Sequence, residues 1–570
     1  MKFEQPFAVP QRGFAPDALR AQLRSQTVTL GFLSQELPAA HLSGELAKSL
    51  HNETGAPVLL VRLEGSENSP SSIDSGREAQ ATVVDWAASE MFSQATLRSG
   101  SVTRTEAGYD LLTLGVDSQG ASTESIASQI GHAGRDYRYV VVEVLAEETP
   151  VAAVLDFMAN SDRAFLFMPP TAESAARFYM LVRELCARDH NDVNRYKPVL
   201  CLAESEPDVG LETLANLVAK SRLVRDCPPA GSSDEPNTPG LSTARFGGDV
   251  RRLAREISGR LLGLALSSGA AKGFSHIGVI QVLEENGIEV DVVAGVSIGA
   301  YIGAIWNHGF DGQELEKLAR EMERRWSFWS LIDPVFWPRR GFLRGVALRK
   351  RLMRSIGTAR FADLPRPMRV VAGNLGTLSR TVFATGEVAA AVHASFAVPG
   401  ICVPVTIDGE SYIDGGIVDP VPVDILRELG VARVIAVNAL PTHDGLRVAF
   451  EAEQKLARQK ETGLRRLIRK VFPLNKQLNY FAPGNVFEIL ARSIHGAQVR
   501  LADASCRLAD VVLRPNIRDD SWLDVRNPGR FIALGRQAAE RHLDQIKALV
   551  EKKELQHEPE FARASMAAVA

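Results

Sequence analysis

Short apolar runs alternate with longer amphipathic stretches along the first half of the chain. Runs rich in β-branched residues at 27–34, 56–65 and 137–146 predict strands, and segments between them, such as HLSGELAKSLHNETG, have helical spacing. Strands that alternate with helices are typical of a parallel sheet covered by helices. The pattern therefore predicts an α/β domain.

The second half of the chain repeats this alternation. Apolar runs at residues 289–296 and 368–376 predict buried strands, and residues 298–309 predict a helix. Further strands are expected in RLLGLALS, RTVFATG, ICVPVTIDG, ARVIAVNAL and ADVVLRP, and one long closing helix in PGRFIALGRQAAERHLDQIKALVEKKEL. The second half is therefore also predicted to be α/β.

A polar segment at residues 227–249, CPPAGSSDEPNTPGLSTARFGGD, interrupts the alternation. Its Pro, Gly, Ser and Asp residues are typical of a linker. We therefore expect a first domain over residues 1–226, a linker over residues 227–255 and a second domain over residues 256–555. Residues 556–570 are predicted to be a disordered tail, and the polar residues 65–80 a mobile insertion.

Composition adds little to the fold prediction but excludes several function classes. The 570 residues are 45% hydrophobic and 23% charged, and the formal net charge of −3 argues against nucleic-acid binding. The 5 cysteines include no C-x-x-C pair, so we expect neither a disulfide framework nor a metal site. The sequence starts without an apolar leader and contains no apolar run of about 18 residues. We expect a cytoplasmic protein with at most peripheral contact to the inner face of a membrane.

The sequence GVSIG at residues 295–299 has the G-x-S-x-G pattern of a serine nucleophile. Ser297 lies where a predicted strand ends and a predicted helix begins, which is the setting that this motif requires. Gly295 and Gly299 have no Cβ to clash in the sharp turn, and the helix N-terminus directs amides toward the serine oxygen. Ser297 is therefore a candidate nucleophile, although a serine at this position is also a common helix cap.

The sequence SSGAAKG at residues 267–273 is a loop of small residues between another predicted strand and helix. Such a loop can direct backbone amides at an anion, and a serine hydrolase needs such donors for its tetrahedral oxyanion. Because the carboxyl ends of adjacent parallel strands meet at one edge of a sheet, the loop and Ser297 are expected to converge. An ordinary strand-to-helix turn would have the same composition. A nucleotide-binding loop is disfavoured because G-x-x-x-x-G-K-[ST] is absent and Lys272 precedes a glycine.

A nucleophilic serine needs a base, and histidine is the usual one. The histidines downstream of Ser297 lie in no recognisable motif; they are His308, His393, His443, His495, His542 and His557. His276 is expected to be an ordinary helix residue. Asp414, in SYIDGGIVDP, ends an apolar run before a glycine pair and is the better candidate, although an aspartate there is often a turn residue. A Ser–His–Asp hydrolase and a Ser–Asp pair both stay open on these residues alone.

The three motifs, in this order, resemble those of the patatin-like phospholipases. Members of that family carry a glycine-rich oxyanion loop with a basic residue, then G-x-S-x-G, then D-G-G or D-G-A, and the similarity extends over about residues 261–440. The resemblance implies a three-layer α/β/α fold and a serine lipid acyl hydrolase without a cofactor. It also implies that Ser297 is the nucleophile, that Asp414 is its base, and that the reaction passes through an acyl-enzyme.

The oxyanion hole that this resemblance implies comprises Gly269, Ala270, Ala271 and Lys272, and it departs from the family pattern. Alanines stand where the family has glycines, so a positive φ at either alanine would strain the loop. Lys272 stands where arginine is usual, and it keeps the charge without the bidentate fork. A catalytically weak or vestigial lipid-binding or scaffold protein is therefore the alternative to an active hydrolase.

The first half of the chain resembles the partition-type ATPases with a deviant Walker loop, at residues 41–65 and 137–170. LGFLSQELPAAHLSG lacks the glycines and lysine that would cradle phosphates, so we expect a degenerate Rossmann/P-loop-like domain without nucleotide binding. Such a domain before a patatin-like domain resembles the neuropathy target esterase branch, which implies phospholipid or lysophospholipid substrates. The cyclic-nucleotide-binding domains of that branch are not recognised in this sequence, and no such ligand is expected.

An aromatic and basic segment lies at residues 324–345. It contains Trp326, Trp329 and Trp337 among arginines, a combination that suits a membrane interface or an acyl-chain entrance. A buried aromatic cluster would have the same composition. Peripheral membrane contact through this segment is therefore one of two alternatives.

Overall fold

The structure is a computed structural model that describes residues 25–65, 102–116, 130, 134–146, 149, 151–189, 195–203, 209–230, 244–323, 333–335, 340–441, 486–517 and 526–551. Contacts divide the described residues into two compact units. The first unit comprises the described residues within 1–167, 178–197 and 229–239, and the second unit comprises those within 168–177, 198–228 and 240–570. The division at a linker over residues 227–255 stays a prediction.

The first unit contains a mainly parallel sheet. Its strands are Gln26–Phe32 (β1), Val58–Gly65 (β2), Val102–Arg104 (β3), Asp110–Val116 (β4), Tyr139–Leu145 (β5) and Arg163–Met168 (β6). Their order is β3-β4-β2-β5-β1-β6, in which β1 runs parallel to β5 and β6, and β3 runs antiparallel to β4. The helices in this part of the chain are Ala39–Thr54 (α1), Val151–Asn160 (α2) and Ala172–Asp189 (α3). This alternation confirms the predicted Rossmann-like class.

The second unit contains a mixed sheet. Strands Tyr196–Ala203 (β7) and Arg222–Cys227 (β8) come before this sheet in the sequence. They pair in parallel with each other and are not part of the mixed sheet. Its own strands are Leu262–Leu266 (β9), Val292–Val296 (β10), Met368–Asn374 (β11), Arg380–Phe383 (β12), Val405–Ile407 (β13), Glu410–Asp414 (β14), Arg433–Val437 (β15) and Val511–Leu513 (β16). Their order is β13-β14-β11-β10-β9-β15-β16, and β12 pairs with β11. β9, β10, β11, β15 and β16 are parallel, whereas β12, β13 and β14 form antiparallel pairs.

Helices connect these strands. They are Val209–Thr213 (α4), Ala215–Val218 (α5), Ala244–Ile257 (α6), Ser275–Glu285 (α7), Ile298–His308 (α8), Gly312–Arg320 (α9), Val346–Ile356 (α10), Val388–Ser395 (α11), Val423–Glu428 (α12), Val486–Cys506 (α13), Pro528–Arg541 (α14) and Leu543–Glu551 (α15). α6 lies largely within the segment expected to be a linker. Its buried residues Phe246, Val250, Leu253 and Ile257 recur at helical spacing, so one face of this polar segment packs.

The core lies on both faces of the second sheet, because successive strand residues point to opposite sides. Leu264, Val293 and Ile435 belong to one buried cluster, with residues of α7, α8 and α14. Ala265 and Val434 belong to another, with residues of α12 and α13. Helices therefore cover both faces, which confirms the predicted three-layer α/β/α class.

Two predicted elements differ in length from those observed. The run ICVPVTIDG forms strand only over β13, because Pro404 has no N–H to donate to a ladder. The single closing helix is divided at His542 into α14 and α15. The predicted tail, residues 66–80 of the predicted insertion, and Trp326, Trp329 and Trp337 lie outside the described residues. None of the described helices is long and apolar enough to cross a membrane.

Candidate active site

Ser297 occupies a sharp turn between β10 and α8. Its backbone has φ 53° and ψ −119°, a strained conformation for a residue with a side chain. A Cβ on Gly295 would lie 2.8 Å from the Ala300 Cα, and one on Gly299 would lie 2.4 Å from the Leu266 carbonyl oxygen. Both glycines are therefore needed for the helix to leave the strand so tightly.

Asp414 lies at the end of β14, directly beside this turn. The Ser297 hydroxyl donates a hydrogen bond to Asp414 Oδ2 over 2.6 Å, and the Gly416 amide donates to Asp414 Oδ1 over 2.7 Å. The Asp414 amide in turn donates to the Ala397 carbonyl over 2.9 Å. The structure thus brings together the serine and aspartate that were predicted 117 residues apart.

Burial controls the charge of this carboxyl group. Asp414 is only 4% exposed, and its burial raises its pKa from 3.8 to about 6, against the opposing effect of the hydrogen bonds from Ser297 and Gly416. A carboxylate with a raised pKa is a stronger base than one in water. Asp414 can therefore accept a proton from Ser297 at neutral pH.

Several histidines in the described part of the chain form hydrogen bonds with groups other than Ser297. His276 Nε2 bonds the Ser267 carbonyl at 2.9 Å, and its burial lowers its pKa to about 4. His308, His393 and His542 bond backbone carbonyls in the same way. His495 lies on α13, and His443 and His557 fall outside the described residues. Within the described part of the chain, the Ser297 hydroxyl donates to Asp414 and not to a histidine.

The loop after β9 lies next to the start of α8. Residues Ala270–Phe274 form a 3₁₀ turn after Gly269, and the first amides of such a turn have no acceptor in a preceding turn. A Cβ on Gly273 would lie 2.1 Å from Ile298 Cγ2, so the two segments are in close contact. Because β9 and β10 are parallel neighbours, the loop and Ser297 share the carboxyl edge of the sheet, as predicted.

The loop at residues 267–273 has the backbone strain that was expected if one of its alanines had a positive φ. Ala270 has φ 50°, a conformation that glycine adopts freely and that costs alanine about 1–2 kcal/mol. Lys272, only 7% exposed, places its positive charge within reach of His495 on α13. The pKa of His495 is lowered first by burial and then by this charge. The loop therefore combines strained backbone with a buried cation.

Ser395 is a site residue that the sequence did not single out. The Ser297 amide donates to Ser395 Oγ over 2.8 Å, and Ser395 Oγ donates to the Val371 carbonyl over 2.6 Å. Ser395 thus ties the nucleophile turn to α11 and β11. Its only sequence signal was a lone serine in the apolar run AAVHASFAV, which predicts burial without indicating a role.

The described residues contain no group of three or more His, Cys, Asp or Glu side chains that could hold a metal ion. The chemistry available at this edge is that of a serine, a buried carboxylate and an amide-lined loop. These are the components of nucleophilic acyl transfer.

Comparison with known proteins extends this assignment. Residues 264–427 match the family of patatin-like phospholipases. Lysophospholipase NTE1 of Pyricularia oryzae is 28% identical over 290 residues, which are 50% of this chain and 18% of that protein. Lysophospholipase NTE1 of Saccharomyces cerevisiae is 28% identical over 282 residues, which are 49% of this chain and 16% of that protein. The chain thus spans less than a fifth of the length of these curated relatives.

Among solved structures, VipD from Legionella pneumophila is 17% identical, with a TM-score of 0.29 over 54% of this chain and 74% of that chain. The matched residues 264–427 run from β9 to α12, so they include the loop, Ser297 and Asp414. Residues 264–427 of this chain are therefore similar to the patatin-like phospholipases, and NTE1 lysophospholipases are among the proteins that the chain resembles.

Proposed function

We propose that this protein hydrolyses carboxylic esters of phospholipids or lysophospholipids, with Ser297 and Asp414 as a catalytic dyad. The observation that carries the proposal is the 2.6 Å hydrogen bond from the Ser297 hydroxyl to the buried Asp414 carboxylate. The family match and the names of the relatives support a lipid ester as substrate. No step of the proposed chemistry requires a metal or an organic cofactor.

In the first half of the reaction, Ser297 Oγ attacks the ester carbonyl carbon while its proton passes to Asp414 Oδ2. The carbonyl π electrons move onto oxygen, and the oxyanion is stabilised by amides of the loop at Gly269, Ala270 and Ala271. Lys272 adds positive charge beside that loop. When the tetrahedral intermediate collapses, the bond to the alcohol breaks and that oxygen takes the proton from Asp414.

The second half hydrolyses the acyl-enzyme that this collapse leaves on Ser297. Asp414, again ionised, removes a proton from water as the water oxygen attacks the acyl carbon. Collapse of the second intermediate releases the fatty acid, and the proton returns to Ser297 Oγ. The dyad therefore ends each turnover in its starting state.

The alternative is a vestigial site that binds lipid without hydrolysing it. It is favoured by one observation, the strained φ of 50° at Ala270 in the oxyanion loop. The hydrogen-bonded geometry of Ser297 and Asp414 favours the active enzyme, since a vestigial site has no need to keep a buried, ionisable carboxyl against a strained serine.

The test is hydrolysis of lysophosphatidylcholine and of a water-soluble short-chain nitrophenyl ester by the full chain. We expect Ser297→Ala and Asp414→Asn to lower kcat by about 10³-fold or more on both substrates, with an unchanged circular dichroism spectrum. Ser258→Ala is the matched control, because Ser258 is equally buried but bonds the Ala254 carbonyl within α6 and its following turn. Activity of Ser297→Ala equal to that of the unmodified protein would contradict the proposal.

A further inference from the structure

The turn between β11 and β12 exposes two leucines. Leu375 is 43% exposed and Leu378 is 77% exposed, the highest value among the large hydrophobic side chains of the described residues. Single exposed leucines are ordinary on protein surfaces, but a pair at one projecting tip is not. We call residues 375–379 the leucine tip.

The leucine tip stands at the same edge of the sheet as the candidate active site. Val296 pairs with Val371 and Asp414 pairs with Ala372, so the dyad lies at the level of Ala372. β11 continues beyond this level to Asn374 before the tip begins. At about 3.3 Å per residue, the tip projects on the order of 10 Å past Ser297 and Asp414.

Hydrogen bonds hold the leucine tip in a defined conformation. Asn374 Oδ1 accepts from the Gly376 amide over 2.8 Å and from the Thr377 amide over 3.0 Å. The Asn374 amide donates to the Ser379 carbonyl over 2.9 Å, and the Leu375 amide to the Ser411 carbonyl over 2.8 Å. The leucines are therefore displayed by a bonded turn.

Leu378 is an unusual residue for its position. Its φ is 57°, a conformation in which asparagine or glycine is normal and a leucine costs about 1–2 kcal/mol. It gains no burial in return, because most of its side chain is exposed. Both the backbone and solvation would favour a polar residue here, so the apolar side chain calls for a partner that the described residues do not supply.

We propose that the leucine tip inserts into the lipid surface from which the active site takes its substrate. The proposal rests on the proposed function, because a lipid substrate at this edge is what brings a lipid surface to the tip. The neighbouring hairpin of β13 and β14 exposes Asp408 and Glu410, whose charges repel an anionic surface. The surface that fits is therefore neutral or zwitterionic, such as phosphatidylcholine.

The test compares the full chain with the double variant Leu375→Ser/Leu378→Asn. Asparagine tolerates the positive φ at position 378, so this variant keeps the turn while removing its apolar surface. The matched control is Tyr179→Ser/Met180→Ser, which removes two comparably exposed apolar side chains, at 55% and 66%, from α3. Sedimentation with phosphatidylcholine vesicles and hydrolysis of lysophosphatidylcholine in those vesicles are measured beside hydrolysis of the soluble nitrophenyl ester.

We expect the leucine-tip variant to bind vesicles about ten-fold more weakly, a change that corresponds to about 1.4 kcal/mol, because it loses the apolar surface of two inserted leucines. It should hydrolyse vesicle lipid correspondingly more slowly. Hydrolysis of the soluble ester should stay unchanged, as should every activity of the control. Unchanged vesicle binding, or equal losses on both substrates, would overturn the proposal. If the unmodified protein is a dimer and the leucine-tip variant is a monomer, the leucine tip contacts a second copy of the chain, and the proposal is also overturned. If the proposed function is wrong, the unmodified protein hydrolyses neither substrate. Vesicle sedimentation then still tests whether the leucine tip binds lipid.

Discussion

At the scale of single residues, the proposed reaction depends on one buried carboxyl group. Asp414 must be ionised to accept the Ser297 proton, and burial raises its pKa to about 6. We therefore expect kcat/KM to rise with pH through about 6 and to level off above it, since the base is protonated below that value. A pH profile on the soluble ester measures this directly. An apparent pKa near 4 would show that the carboxyl is not desolvated as the structure indicates.

A second prediction concerns the strained loop. Ala270→Gly should leave the free energy of unfolding unchanged or raise it by up to about 1 kcal/mol, because glycine adopts φ 50° without strain. Ala271→Gly should lower it by about 1 kcal/mol, since Ala271 is buried and its φ is not positive. Urea unfolding of both variants provides the comparison. Equal losses would show that the Ala270 backbone is not strained.

At the scale of elements, the site exists because a helix starts directly on the end of a strand. A Cβ on Gly299 would meet the Leu266 carbonyl at 2.4 Å, whereas one on Gly303, a turn later in α8, would meet the Leu266 Cδ1 at 3.1 Å. Gly299→Ala should therefore abolish activity or folding, because backbone cannot move aside as a side-chain end can. Gly303→Ala should retain both, which thermal unfolding and ester hydrolysis would establish. A fully active Gly299→Ala variant would contradict the packing described here.

The elements were predictable where local residue chemistry determines them. The G-x-S-x-G turn and the D-G-G turn carry their own steric requirements, and both fall where the sequence places them. The β13–β14 hairpin has the same kind of signal, since Asp408 and Gly409 both have positive φ, as a two-residue Asp-Gly turn requires. The role of Ser395 was not predictable, because it arises from the meeting of α11 and β10 across 98 residues. Nor does any sequence pattern mark the leucine tip, which depends on the register of β11 and β14.

At the scale of the whole molecule, the first unit has the strand–helix alternation of a Rossmann-like domain, and the sequence LGFLSQELPAAHLSG after β1 begins lacks the glycines and lysine of a phosphate-binding loop. Pro38 precedes α1 and has no N–H, and the buried Glu143 carboxylate accepts a hydrogen bond from Ser43 inside that helix. We expect ATP with Mg²⁺ to leave Tm unchanged in a thermal shift assay. If the protein bound ATP, a concentration of about 100 times Kd would add about 2.7 kcal/mol to the free energy of unfolding and raise Tm by several degrees.

The most direct test of the central claim is covalent labelling of the native protein with a fluorophosphonate, followed by mass spectrometry of its peptides. An activated serine displaces fluoride from phosphorus, whereas an ordinary serine does not. The dyad predicts one adduct on Ser297 at pH 8, and its loss in folded Asp414→Asn. No adduct on the native protein, or an adduct on another serine, would contradict the assignment of Ser297 as the nucleophile.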